Sequence, residues 1–509
     1  MLRGDGGNIL RIMNSEYVRV MGFEVYGEVQ NIPLEEAKAL QFVYKDGDGE
    51  VQYRVPQRRA DDIDWIGEQK LEKLGNVDRP SYIDTRGVYV SNSHHVKILD
   101  NTIHHMPGGG LRVSYSEHVD IIGNTIHDCS RRSYSGTHAL VVTYADDKLP
   151  PEGSGNYRVR VLRNRLHHNY NEMFSWAPTK DFIEPHIDEG KGISLQRNQN
   201  FKNGGRILVA NNLAWWNGFS GVHSNDGDNI ELVHNTAYMN AYTALVTNKD
   251  KPGRGNNIGI SISGGKNCRI FNNIAVIPTG WGAKPISVAN AVNLQVGSNV
   301  LYGIGDRDLQ QDGDVVPLQG AVYIGDPLFT EVRTELLNNP ECLQGARSSK
   351  NIPGGPAGLL KAKLPNYIVE HPTWLRHNIL WGTQFNYKFF FGTQLGPCLQ
   401  VDDEQGSYAF SITSEKSPAV ANAADALWTP CEDALGYLRS ANGATIGAYE
   451  HGSDLLARHT MDGDAVGLDE CYNIPDATGH RSREAPGTAA VHMLLHIILR
   501  CLHRIVFEI

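Results

Sequence analysis

Ionisable side chains gather around one strand-like segment, "GISLQRN", which begins at Gly192. Lys191 directly precedes the segment, and the carboxylates Asp188 and Glu189 lie two to three residues before Lys191. Arg197 lies near the end of the segment. A lysine near other cations or away from water can act as a general base, and carboxylate oxygens are the ligands that calcium prefers. The segment therefore predicts a catalytic or metal-binding site. The alternative is a solvated turn whose charges pair with one another.

Similar segments recur along the chain, beginning at Gly87, Gly110, Ala139, Gly221 and Gly259. Apolar and polar residues alternate in each, which is typical of a strand with one buried and one exposed face. Aligning the segments predicts two outward rows of side chains. The first row is Tyr89, Arg112, Val141, Ser194, His223 and Ser261, and the second is Ser91, Ser114, Thr143, Gln196, Asn225 and Ser263. Since neighbouring strands lie about 4.8 Å apart, Arg112 and His223 are expected roughly 14 Å apart.

An asparagine repeat accompanies these segments, in the pattern apolar-x-apolar-x-x-Asn-x-apolar. Its asparagines are Asn101, Asn124, Asn164, Asn212, Asn235 and Asn273, with a looser copy at Asn299. Subtraction gives spacings of 23, 40, 48, 23, 38 and 26 residues, as expected for a coil of 23 residues that carries loops in some copies. Stacked asparagines stabilise parallel strands because each amide bonds the copies above and below. A propeller would need a period near 40.

The strand and asparagine patterns resemble the right-handed parallel β-helix proteins, a group with pectate and alginate lyases, polygalacturonases, epimerases and non-enzymatic adhesins. We therefore predict an all-β, right-handed parallel β-helix (a solenoid) with long inserted loops. Its coils are expected over 1–330, with an insertion containing a short helix near 46–79. A second insertion is expected over 331–405, closing coils over 406–452, and a weakly ordered tail over 453–509.

The resemblance implies a carbohydrate-active protein, with a polysaccharide lyase acting by β-elimination on a uronate-containing polymer as the first prediction. Similar lyases use lysine or arginine bases, often with calcium held by aspartates. By that likeness the candidate catalytic residues are Lys191 as base, His223 as the next choice, Arg112 and Arg197. The candidate calcium ligands are Asp188, Glu189, Asp226 and Asp228, and the candidate substrate contacts are His138, Ser194, Gln196, Asn225, Trp176 and Trp216.

Three alternatives stay open. A glycoside hydrolase needs two carboxylates about 5 to 9.5 Å apart, which Asp188 or Glu189 with Asp226 would supply. An epimerase is suggested by "EPHID", from Glu184, which is similar to the Asp-Pro-His-Asp motif of alginate epimerases but differs from it in two respects. An adhesin would instead carry short loops and bland Ser, Thr and Asn rows.

A histidine row is also expected on another face. His104 and His105, with His167 and His168, follow their asparagines at matching positions, and we interpret them as a stacked structural row.

Composition limits the partners. The net charge of -10 disfavours nucleic acid, which needs a basic face, and leaves a polysaccharide as the expected partner of a monomeric chain.

The start "MLRGDGGNIL" shows no signal peptide and leads directly into strand-like sequence, so we expect an incomplete N-terminus on a secreted protein. The C-terminal "VHMLLHIILRCLHRIVFEI" carries central charges, which argue against a membrane span.

Overall fold

A computed structural model of the chain describes residues 1–3, 7–39, 43–45, 51–53, 85–133, 137–152, 155–173, 189–240, 258–278, 284–292, 294–297 and 299–304. Beyond these it describes 322–324, 379–381, 399–400, 411–412, 429–437, 439, 444–445 and 447–448. Three parallel sheets dominate this part of the chain. Its helical segments are α1 (Leu34–Ala39) and a 3-10 turn at Val29–Asn31, and in it no helix is long and apolar enough to cross a membrane.

The first sheet holds nine strands in the order of the chain. They are β2 (Asn8–Met13), β7 (Arg86–Ser91), β10 (Leu111–Ser114), β13 (Leu140–Thr143), β16 (Ile193–Asn198), β19 (Ser220–Gly227), β22 (Ile258–Lys266), β25 (Lys284–Val292) and β28 (Val322–Ile324).

The second sheet holds eight strands and the third sheet ten. The second comprises β3 (Glu16–Met21), β8 (His94–Leu99), β11 (Glu117–Ile122), β14 (Tyr157–Leu162), β17 (Arg206–Ala210), β20 (Ile230–Val233), β23 (Arg269–Phe271) and β26 (Gln295–Gly297). The third comprises β1 (Leu2–Arg3), β4 (Glu24–Tyr26), β9 (Thr102–His104), β12 (Thr125–His127), β15 (Arg165–His167), β18 (Leu213–Trp215), β21 (Thr236–Tyr238), β24 (Ile274–Pro278), β27 (Val300–Ile304) and β29 (Ile379–Trp381).

In the described residues the central coils each contribute one strand to each sheet, and every pair of neighbouring strands in the three sheets is parallel. The prediction of an all-β parallel β-helix is confirmed. Two antiparallel pairs lie outside the coils, β5 (Val43–Lys45) with β6 (Val51–Tyr53) and β30 (Leu399–Gln400) with β31 (Ser411–Ile412).

The core is the column of apolar side chains enclosed by the three sheets. Inward residues of the first sheet, such as Val113, Val142 and Leu195, are completely buried against inward residues of the other two sheets. A glycine lies next to the first residue of several first-sheet strands because the next coil lies too close for a side chain. A Cβ on Gly192 would lie 2.6 Å from the carbonyl oxygen of Gly221, and one on Gly259 would lie 2.6 Å from that of Pro285.

The predicted asparagine ladder is confirmed over all seven copies. Each Nδ2 donates to the Oδ1 of the next copy at 2.9 to 3.1 Å, from Asn101 through to Asn299. The asparagines are buried where the second sheet turns into the third. A second, unpredicted ladder joins Asn169, Asn217 and Asn240, with both amide bonds at 2.9 Å.

The predicted boundaries near 46–79, 331–405 and 453–509 fall largely outside the described residues and stay predictions. Inside the predicted second insertion, β29 pairs with β27 and so continues the third sheet. Of the predicted closing coils, the described residues between 429 and 448 add no strand to the three sheets. They lie against the corner between the second and third sheets, where Arg439 donates to Asn211 Oδ1 at 2.8 Å and Gly447 N donates to Asn272 O at 2.9 Å.

Candidate functional site

The two predicted outward rows are present on the first sheet. Strand register pairs Tyr89, Arg112, Val141, Ser194, His223 and Ser261 in sequence, and Arg11 and Ser287 extend this first row. The second row is likewise confirmed from Ser91 to Ser263. Arg112 and His223 are three strands apart, so their backbones are separated by about 14 Å.

At the centre of the two rows, His138, Gln196 and Ser194 contact one another. His138, in the loop before β13, is buried, and its Nε2 lies 2.9 Å from Gln196 Nε2. Gln196 Nε2 also donates to Ser194 Oγ at 3.0 Å, and Ser194 is completely buried. Ser194 is therefore a supporting residue beneath the site, whereas Gln196 and Asn225 remain partly exposed.

Lys191 forms an ion pair, as the alternative prediction of charges that pair with one another expects, but in a largely buried position and not in a solvated turn. Its Nζ lies 2.6 Å from Glu189 Oε2, and both side chains are largely buried. The same carboxylate oxygen is 3.4 Å from His138 Nδ1, and the ammonium lies over the Phe219 ring, 4.4 Å from its centroid. An ammonium held by a carboxylate is not placed to take a proton. The geometry gives Lys191 the role of a fixed positive charge and does not favour its predicted role as a base.

His223 occupies the next coil with a different environment. Its Nδ1 is 2.6 Å from Ser261 Oγ, and its ring packs edge-on to Phe219. Burial, followed by the positive charge of Lys191, lowers the pKa of His223 to about 3. When Nδ1–H donates to Ser261, Nε2 retains its lone pair, and it forms no hydrogen bond within the described part of the chain.

His138 is held neutral by the same surroundings. Burial first, and then the charges of Lys191, His223 and Arg112, keep the pKa of His138 well below its usual value. Both imidazoles are neutral at neutral pH and so keep a lone pair that can accept a proton, although a pKa this far below neutrality makes each a weaker base than an ordinary histidine.

Arg112 lies exposed on β10, two strands before Ser194 in the first row. Its Nε donates to Ser114 Oγ at 3.1 Å, and it forms no ion pair with a described residue. Desolvation, followed by repulsion from Arg86, lowers the pKa of Arg112. Two guanidinium groups brought together in this way make a local site for an anion on a chain whose net charge is negative.

Two stacked tyrosines lie beside the strands that carry Arg112 and Val141. The rows predicted from the sequence do not include them. Tyr115 and Tyr144 follow the strands β10 and β13 in left-handed conformation, and their rings stack at 4.9 Å with an interplanar angle of 2°. Tyr115 is 49% exposed. Arg197 lies next to this pair, and its Nη1 donates to Tyr144 Oη at 2.9 Å, which raises the pKa of Arg197. Exposed aromatic faces of this kind can stack on sugar rings.

The predicted calcium ligands do not converge. Glu189 precedes β16 and is paired with Lys191, whereas Asp226 lies near the far end of β19, at the level of Arg197. The strand from Ile193 to Arg197 alone spans about 13 Å. Asp228 lies beyond β19, where Lys266 N donates to its Oδ1 at 2.8 Å and burial raises its pKa. Glu189 therefore does not share one ion with Asp226 and Asp228, and Asp188 lies outside the described residues.

Trp216, one of the two predicted tryptophan contacts, is not part of this surface. Trp216 follows β18 of the third sheet, where it packs near Leu213, Trp215 and Ala448. It is therefore on a different face from the rows. Trp176 lies outside the described residues.

The fold defines the class of protein: the chain is a right-handed parallel β-helix protein. Residues 81–300 match the family model described as "Right handed beta helix region". No curated protein sequence matches the chain.

Among solved structures, the chain is similar to a periplasmic alginate epimerase, AlgG, with 14% identity over 48% of this chain and 49% of that one, at a TM-score of 0.29. A similarity to pectate lyase Pel9A has 13% identity over 72% of this chain and 74% of that one, at a TM-score of 0.31. The Azotobacter vinelandii mannuronan C-5 epimerase AlgE4 A-module gives 14% identity, 48% and 57% coverage, and a TM-score of 0.25. The chain thus spans about half the length of the alginate epimerase, and these similarities carry no argument about its activity.

Proposed function

We propose that the protein binds an acidic, uronate-containing polysaccharide across the first sheet and cleaves it by β-elimination. The single observation that carries this proposal is the set of outward rows, which bear the cations Arg11 and Arg112 and the neutral imidazole of His223, and no carboxylate from Arg11 to Ser287. A surface of this kind favours a negatively charged polymer. The distance from Arg112 to His223 corresponds to a few sugar units laid across the coils.

In this mechanism His223 Nε2 removes the proton on C5 of a uronate. The electrons of the C5–H bond form the C4–C5 double bond as the C4–O bond breaks, and the leaving oxygen is protonated by water. Lys191, fixed between Glu189 and the Phe219 ring, supplies positive charge where the uronate carboxylate gains negative charge. Arg112 and Arg86 bind the carboxylate of a neighbouring unit, and Tyr115 stacks on a sugar ring.

Hydrolysis is the weaker alternative. It needs two carboxylates on either side of the glycosidic bond, and the nearest described carboxylate, Glu189, is engaged by Lys191. Epimerisation begins with the same proton abstraction, so His223 would serve both reactions. The two reactions then diverge, because elimination breaks the C4–O bond whereas epimerisation keeps that bond and returns a proton to the opposite face of C5.

The test is turnover on pectate, alginate and sulfated or neutral glycans, followed by the ultraviolet absorbance of unsaturated products. We expect absorbance on a uronate polymer and a loss of about 100-fold or more in His223→Gln, the usual contribution of a positioned base. His94→Gln, on the second sheet, is the matched control and keeps normal turnover. Reducing ends without absorbance would identify a hydrolase, and a changed C5 configuration without cleavage an epimerase.

Calcium, secretion and the monomeric state belong to the same proposal. EDTA followed by added calcium tests the metal, and loss and recovery of activity would support it. Gel filtration tests the monomer.

A further inference from the structure

A histidine cluster on the third sheet is independent of the proposed function. His104 ends β9 and His127 ends β12, and strand register places them on adjacent coils. Their rings stack at 4.9 Å, while the ring of His105 stands edge-on to both. One ring nitrogen from each histidine lies within 4.8 Å of those from the other two. Three imidazoles at this spacing are a ligand set that suits zinc, copper or nickel.

Two carboxylates determine which ring nitrogens of His104 and His127 are available to bind a metal ion. His104 Nε2 lies 3.1 Å from Glu24 Oε1, and His127 Nδ1 lies 2.9 Å from Asp128 Oδ2. A ring N–H that donates to a carboxylate leaves the other ring nitrogen with a lone pair, which is the arrangement found behind metal-binding histidines. His104 thus presents Nδ1 and His127 presents Nε2.

His105 provides the third nitrogen. Its Nδ1 lies 2.8 Å from His104 Nδ1, so one proton is shared between them. The backbone of His105 is fixed in left-handed conformation, with its N–H donating to His127 O at 3.1 Å and its carbonyl accepting from Val29 N at 2.9 Å. On metal binding the shared proton would move through solvent to Nε2 of His105, so that the Nδ1 atoms of both histidines carry lone pairs.

The electrostatics are consistent with a neutral ligand set. Burial lowers the pKa of both His104 and His105. Glu24 and Asp128 bring two negative charges, and Arg131, paired with Asp128 at 2.5 Å, brings one positive charge. A divalent cation would therefore meet a site with a net negative surround.

We propose that His104, His105 and His127 bind one first-row divalent transition metal ion, of which Zn²⁺ is the first candidate, with the fourth position open to water. Metal–nitrogen bonds of about 2.0–2.1 Å place ligand nitrogens roughly 3.3 Å apart in a tetrahedral site. The Nδ1 atoms of His104 and His105 would separate by about half an ångström, and the His127 ring would tilt out of its stack.

The experiment uses the full chain, freed of metal by dialysis against a chelator and titrated with Co²⁺ and then Zn²⁺. We expect one equivalent of Co²⁺ to give the visible d–d absorption of a tetrahedral nitrogen site, which Zn²⁺ then displaces. His127→Gln should weaken binding by about 100-fold or more, and Glu24→Gln, which removes only a supporting carboxylate, by about 10-fold.

His167→Gln is the matched control. His167 stacks on His127 at 4.8 Å in the next coil but is not one of the three ligands, so this variant should bind Co²⁺ within about threefold of wild type, a small fraction of the effect of losing a ligand. Circular dichroism verifies the fold of each variant, and His104→Gln substitutes for His127→Gln if that variant does not fold. Absence of the d–d bands, equal affinity in the ligand variants, or an equal loss in His167→Gln would each overturn the proposal.

Discussion

The asparagine ladder yields the most direct test of the fold, through Asn124→Leu. The Asn124 side chain is completely buried, and its Oδ1 accepts from both the N–H and the Nδ2 of Asn101 at 3.0 Å. Its Nδ2 donates to Ile98 O at 2.8 Å and to Asn164 Oδ1 at 3.0 Å. Leucine offers none of these bonds.

The cost follows from what is left without a partner. Asn101 Nδ2 retains its bond to Val20 O, and Asn164 Oδ1 still accepts from Asn124 N. The Asn101 N–H loses its acceptor, which costs about 1–3 kcal/mol, and each of the three lost Nδ2 bonds costs about 0.5–1.5 kcal/mol. We therefore expect the free energy of unfolding to fall by about 2.5–7.5 kcal/mol, a large part of the usual stability margin.

Urea denaturation followed by circular dichroism measures this change. Asn200→Leu is the control, because Asn200 is exposed beyond β16 and its replacement should alter the free energy of unfolding by about 0.5 kcal/mol or less. If Asn124→Leu unfolds at the same urea concentration as wild type, the buried ladder does not stabilise the coils as described.

Three other predictions concern the first sheet. Lys191→Met should lower the free energy of unfolding by about 2–4 kcal/mol because it removes the cation that pairs with the largely buried Glu189 carboxylate, and the double variant with Glu189→Gln should recover more than half of that loss in urea denaturation. Arg112→Gln should raise KM on an acidic glycan about tenfold or more with little change in kcat, since it removes a binding charge remote from His223; a fall in kcat alone would contradict this. His223 and His167 have pKa values near 3, below the usual 6.5, so the unfolded state binds more protons between these values. The free energy of unfolding should therefore fall as pH drops from about 6.5 toward 3, and His223→Gln should flatten the fall in urea midpoints.

Strand register was accessible from the sequence because it depends on a repeat. Alternating apolar residues and one asparagine per coil were sufficient to align Arg112 with His223 across three strands, and the register confirms that alignment. The second ladder had a comparable signal. Asn169, Asn217 and Asn240 each follow a first-ladder asparagine by five residues, but the other coils carry a different residue there.

Loop contacts were not accessible in the same way. The pairing of Lys191 with Glu189 depends on how the chain enters β16, which no repeat specifies. The sequence also placed Glu189 with Asp226, because their types matched a calcium site and the length of a strand was not taken into account. Tyr115 and Tyr144 were overlooked because they follow the aligned row residues by one position and so belong to the bend, not to the strand face.

The ladder bonds are insensitive to the length of chain between their members. The amide distance is 3.0 Å from Asn101 to Asn124, 23 residues on, and 3.0 Å from Asn164 to Asn212, 48 residues on. An added segment leaves and re-enters at a corner without disturbing the strands, since closing a longer loop costs little additional entropy. The scaffold can therefore exchange whole loops between coils, in evolution or by design, and so change the surface beside the strands while keeping the melting behaviour of the stacked coils.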